Sequence, residues 1–228
     1  MGKLNKSHSS MSIVLIGSFN PLIYHPEWFK SNNILPPEDV DAVLNSQEPN
    51  LVVSPGLTLF RTSNIEINVT PERFMIKARK QPFVFIKDVL QKSFEKLGST
   101  PVKQMGINDH YHIKFDSEKE LQDFADIIVP KVRWNSLLGD EVKGTNRVSG
   151  LTKIQMRKTT DFGAINYTLE PSPVVKPGVY ISNNHHYNLE EESQFAEDAM
   201  EILEQNFTTT VEKTDCITRE IIFGDPNE

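Results

Sequence analysis

Apolar and polar residues alternate strictly over Ile65-Glu66-Ile67-Asn68-Val69, and again at Phe74, Ile76 and Ala78 after Thr70-Pro71-Glu72. A period of two places every second side chain on one face, so this pair predicts a β-hairpin. Over residues 83–97 the period changes: Ile86, Val89, Leu90, Phe94 and Leu97 fall at helical spacing, and Gly98 suits a helix end. Residues 102–115 then read as two extended pieces broken at Gly106, with Tyr111, Ile113 and Phe115 on one face. Ser117 with Glu120 three positions on is a capping box, opening a helix through Leu121, Phe124, Ile127 and Ile128. Pro130 stops it.

Ahead of the hairpin, residues 1–11 are polar without periodicity and predict a flexible tail. Ile13-Val14-Leu15-Ile16 before Gly17 predicts a buried strand. Six prolines between Asn20 and Pro55 favour turns with extended pieces, with room for one short helix over residues 37–45. In the second half, residues 151–156, 164–169 and 179–182 read as strands. Asn188 reads as the cap of a long helix with Phe195, Ala199, Ile202, Leu203 and Phe207 inward, and residues 217–223 as a last strand. The expected class is α+β: two strand-strand-helix-strand units whose mainly antiparallel sheet packs against helices. The boundaries expected are a tail at 1–11, an N-terminal unit at 12–130 and a C-terminal unit at 131–228, with one merged domain as the alternative.

Composition narrows the function classes. With 38% hydrophobic residues among 228, the chain holds enough apolar material for a core without disulfide or metal staples. The net charge of −7 argues against general phosphate-backbone binding, although a local basic patch stays open. No apolar run reaches the ~18 residues that a membrane-spanning helix needs, and the start shows neither a signal-peptide core nor a myristoylation pattern, Lys6 standing where Ser or Thr is required. The single cysteine, Cys216, excludes an internal disulfide and fits a reducing cytoplasm. Its acidic setting predicts a small buried residue rather than a nucleophile.

Candidate chemistry is sparse. Gly17-Ser18-Phe19-Asn20-Pro21 after the first strand resembles the opening of nicotinate-nucleotide adenylyltransferases, but the family's two histidine positions are occupied by Ile23 and Pro26. That leaves a strand end and a tight turn as the expectation. His110 and His112, two apart on an extended stretch, share a face. With His185 and His186 near another strand, they form the only candidate metal set, the basis of an enzyme alternative that is metal- or nucleotide-dependent. No nucleophile elbow or phosphate loop occurs, so no catalytic residue and no cofactor is assigned. Residues 131–158 form a basic segment around Trp134, and residues 190–204 an acidic helix face. The first could meet nucleic acid or an acidic protein, and the two together would permit self-association.

The order of segments, Ile13 to Pro21, Val69-Thr70-Pro71-Glu72-Arg73-Phe74 before a helix, Met105-Gly106-Ile107-Asn108 after it, and an extended stretch at 179–184 before a long helix ending in Phe207, is similar to a bacterial family described as sporadically distributed. The chain departs from it at Met105 to Asn108, where the family's strand carries Arg and Tyr. The resemblance implies no activity; it implies an accessory gene of the kind found in mobile or defence loci. The expectation is therefore a non-enzymatic subunit that binds a protein, with Arg133, Trp134 and Arg147 as contact residues because Trp and Arg dominate interface energetics.

Overall fold

Nine strands form a single antiparallel sheet in a computed structural model that describes residues 6–48, 50–138, 150–189 and 194–224. The strands are β1 (Lys6–Gly17), β2 (Leu51–Ser54), β3 (Leu57–Arg61), β4 (Ile65–Thr70), β5 (Arg73–Ala78), β6 (Val102–Lys114), β7 (Ile154–Thr160), β8 (Gly163–Pro171) and β9 (Gly178–Asn188). The helices are α1 (Pro26–Ser31), α2 (Pro37–Leu44), α3 (Val84–Lys96), α4 (Glu118–Ile128), α5 (Asn135–Leu138) and α6 (Ala196–Phe223). Across the sheet the order is β2-β3-β4-β5-β1-β6-β9-β8-β7. The α+β class holds. The sheet runs without a break from one half of the chain to the other, because β6 pairs with β9 from Gln104↔Asn188 to Lys114↔Gly178.

Among the described residues, helices pack on one side of the sheet. On that side lie Met11, Ile13 and Leu15 of β1, Phe74, Ile76 and Ala78 of β5, and Met105 and Ile107 of β6. They form one apolar cluster with Phe29 of α1, Val40 of α2, Ile86, Leu90 and Phe94 of α3, and Ala199, Leu203 and Phe207 of α6. A second cluster gathers Tyr111, Ile113, Leu169 and Ile181 under Phe124 of α4. Between the two clusters the inward row turns polar: Asp109, Asn183 and His185 are buried beneath Thr210, Thr214 and Thr218 of α6. The Thr214 hydroxyl lies 2.7 Å from Asp109 Oδ2, and the Tyr187 hydroxyl 3.4 Å from Thr210 Oγ1. This polar belt is why the core divides in two.

Several elements differ from the sequence expectation. The tail expected over 1–11 is strand from Lys6 onward, because its backbone pairs with β6 at His8↔His112, Ser9↔Tyr111 and Ser10↔His110 whatever its side chains prefer. Residues 102–115 are not two pieces: Gly106 continues the ladder opposite His186. β9 runs on through Asn188, so this residue closes a strand rather than capping a helix, and α6 begins only at Ala196. The strand expected at 217–223 is the last two turns of α6, a 28-residue helix whose Thr214, Thr218, Ile221 and Ile222 continue its inward stripe. Cys216 is exposed on that helix, not buried. The capping box is present with one change: Ser117 Oγ accepts from the Glu120 amide at 3.1 Å, while the Glu120 carboxylate reaches back to the Asp116 amide at 2.9 Å.

The Gly17-Ser18-Phe19-Asn20-Pro21 segment is structural. The Gly17 and Phe19 amides donate to the Glu72 and Pro71 carbonyls at 3.0 and 2.8 Å, and the Ser18 amide to the Pro101 carbonyl at 2.9 Å. A Cβ on Gly17 would collide with the Pro101 carbonyl, so only glycine fits there. Phe19 is buried, and Asn20 caps the 3-10 turn Pro21–Tyr24 through the Leu22 amide at 3.1 Å.

Candidate functional site

The other side of the sheet is polar over β6, β9 and β8, while Val52, Leu59, Met75 and Val14 put an apolar row on it across β2, β3, β5 and β1. Strand register builds it row by row. One row crosses eight strands as Arg61, Glu66, Lys77, Ser12, Asn108, Asn184, Asn166 and Arg157. Its three asparagines interlock: Asn166 Nδ2 donates to Asn184 Oδ1 at 3.0 Å, and Asn184 Nδ2 to Asn108 Oδ1 at 2.5 Å. Gly106 lies beside this ladder because a Cβ there would stand 2.9 Å from Asn184 Nδ2.

Above the ladder sit the two histidines of β6. His110 Nδ1 is 2.6 Å from the Tyr180 hydroxyl, its Nε2 is 3.2 Å from Ser12 Oγ, and its ring lies parallel to that of Tyr180 with centroids 5.9 Å apart. His112 Nδ1 is 2.8 Å from Ser172 Oγ. Burial pushes the His110 ring down to about 4, with the Lys77 ammonium and His112 adding to the effect. His112 is lowered by burial first and then by His8 and Lys77. Both rings are thus neutral at physiological pH, acting as hydrogen-bonding and stacking groups rather than charges. Ser12-His110-Tyr180 is a hydroxyl–imidazole–hydroxyl chain, but Ser12 exposes only 4% of its surface, so a substrate could not reach its Oγ without displacing neighbours.

The histidines expected as one metal set are divided by strand alternation. His110, His112 and His186 face the open side, whereas His185 points to the opposite side, under α6. His186 lies opposite Gly106, four residues along β6 from His110, and its Nε2 is 3.2 Å from Asn188 Oδ1. Among the described residues no three His, Cys, Asp or Glu side chains converge as a metal site. Asp109 faces away from His110, toward Thr214 of α6.

Of the contact residues, Arg133 and Trp134 are exposed at the 3-10 turn Lys131–Arg133 after α4, while Arg147 lies outside the described residues. The chain also leaves large apolar side chains exposed. Ile127 is 77% exposed, Met156 62% and Trp134 48%, with Val132, Leu137 and Phe223 also exposed. Ile127, Met156 and Phe223 line one groove of about 350 Å³ floored by Phe124, Tyr167 and Leu169. Lys131 ties this corner to α4 by a 3.1 Å ion pair with Asp126.

The sequence did not single out Ser12, Asn108, Asn166, Tyr180 or Asn184 as site residues, although Lys77 belongs to a basic cluster with Arg73, Arg79 and Lys80 that it does show. Asn183-Asn184-His185-His186 shows no apolar alternation, and aligning these residues into rows needed the strand order. No helix among the described residues is long and apolar enough to cross a membrane. Compared with known proteins, the chain matches no family model and no curated protein, so the likeness in layout to the sporadically distributed family stands on its quoted segments alone.

Proposed function

We propose that the protein is a non-enzymatic binding subunit that docks a protein partner on the covered side of its sheet. The observation carrying this reading is the groove between α4, β7 and the end of α6, lined by the exposed Ile127, Met156 and Phe223, with Val132, Trp134 and Leu137 also exposed in the stretch that follows α4. A folded chain gains little from leaving large side chains this exposed beside an open groove, and such patches mark interaction sites. Trp134 and Arg133, exposed in the turn after α4, supply the residue types that anchor interfaces. With a single, exposed cysteine thiol, we read the subunit as cytoplasmic.

The test is co-purification from the native host, comparing the wild type with Trp134→Ala and Ile127→Glu by quantitative mass spectrometry and native mass. A stoichiometric partner retained by the wild type and lost from both variants supports the reading. A wild type that elutes as a bare monomer, or partners unchanged in both variants, refutes it. A dimer lost in the variants would make the partner a second copy of the chain.

A further inference from the structure

The two sides of the sheet carry opposite charge. On the covered side α6 exposes Glu197, Glu201, Glu204, Glu212 and Glu220, and α4 exposes Glu118, Glu120 and Asp123. The open side is cationic in a chain of net charge −7: its register positions hold Arg61, Arg73, Lys77, Lys114 and Arg157 against Glu66 and Glu170. Both carboxylates are engaged, Glu66 with Arg61 at 2.6 Å and Glu170 with Lys153 at 3.8 Å. Among the described residues Arg73, Lys77 and Arg157 have no carboxylate within ion-pair distance, and Lys77 and Arg157 close off the two ends of the asparagine ladder. Five inter-strand steps of ~4.8 Å separate them by about 24 Å, enough for several nucleotides of an extended strand.

Between these cations the surface offers side-chain amides and rings. The ladder leaves one Asn184 N–H and the Asn166 carbonyl oxygen without a partner on the sheet, and the partly exposed rings of Tyr180, His110 and His112 stand one and two rows away. Antiparallel sheet faces with rings and cations hold unpaired bases in common nucleic-acid modules, the bases stacking on the rings while the phosphates run along the charges. An acidic peptide would use the cations and leave rings and amides idle. We infer that the open face of the sheet binds single-stranded nucleic acid across the strands, along the row from Lys77 through Asn108, Asn184 and Asn166 to Arg157. This site lies on the opposite side from the protein-docking surface and does not depend on it.

Fluorescence anisotropy with labelled oligothymidylate and oligouridylate of about fifteen nucleotides tests the inference, the pair separating DNA from RNA. With about three phosphates neutralised, affinity should fall about 20-fold between ~50 and ~200 mM salt. Lys77→Glu with Arg157→Glu should cost at least about tenfold in affinity at the lower salt, whereas Lys119→Glu with Lys213→Glu, the same charge change on the covered side, should cost far less. Tyr180→Ala should weaken binding further, and His112→Ala serves if melting shows that the Tyr180 variant is unfolded. The inference is overturned by no binding at the lower salt, or by equal losses in the face and control pairs. It is also overturned if heparin or polyglutamate binds as tightly and ring removal has no effect.

Discussion

His185 sits in the polar belt beneath α6 with 3% of its surface exposed, and its Nε2 has no hydrogen-bond partner. Burial, with the Lys213 ammonium adding to it, pushes its pKa down to about 4. In the unfolded chain the same ring titrates near ~6.5. Between these values the unfolded state binds the proton and the folded state does not, so stability rises with pH across this window. The contribution is intact above about pH 7.5, drains as pH falls through ~6.5, and is fully lost below about 4. Integrated from pH ~7.5 to ~5.0, the loss from this one ring is about 2 kcal/mol. His110 titrates in the same direction, and its partial exposure reduces what it adds. Urea unfolding of the wild type and His185→Gln at both pH values isolates the term, because glutamine does not titrate. The wild type should lose about 2 kcal/mol more than the variant on acidification. If the two losses agree within ~0.5 kcal/mol, His185 is not held neutral in the folded state and the account of the belt is wrong.

Other outcomes follow from the same structure. Thr214→Val removes the hydroxyl beside Asp109 and should cost about 1.5–3 kcal/mol in chemical denaturation, the loss of one buried hydrogen bond to a carboxylate. Phe94→Ala opens a hole where Phe19, Phe74 and α3 meet, and should cost about 3–5 kcal/mol by the same assay. Ser117→Ala, which strips the cap from α4, should cost about 1 kcal/mol, and an unchanged midpoint would show the cap to be idle. Gly17→Ala should leave little soluble folded protein on expression, because the obstacle is backbone.

What could be read from the sequence follows from how each element is stabilised. The β4–β5 hairpin and α3 were legible because one face of each is continuously apolar: Ile65, Ile67 and Val69, or Ile86, Leu90 and Phe94. β9 beyond Ser182 was not, because Asn183 and His185 face the buried belt while Asn184 and His186 face the open ladder, leaving no apolar alternation to detect. The second half of α6 hid for a related reason. Thr210, Thr214 and Thr218 interrupt the apolar stripe, and the β-branched run from Ile217 favours a strand until packing over β6 and β9 decides otherwise. Most of the open site joins residues from strands far apart in sequence, so only its His110–His112 pair and its cations Lys77 and Arg157 were legible.

The position of β1 has a consequence for how the molecule is made. It is the first of the nine strands to leave the ribosome, yet it lies inside the sheet, between β5 and β6. Its buried row of Met11, Ile13 and Leu15 can find no partner until Arg73–Ala78 has been synthesised, and its second edge waits for Val102–Lys114. At ~5–20 residues per second, the first wait lasts about 3–12 s, during which an apolar strand with two open edges is exposed in the nascent chain. Assembly then proceeds outward, β9 joining β6 only after a further sixty-odd residues. The segment most in need of a chaperone during translation is therefore residues 11–16, which end up among the best protected in the finished fold.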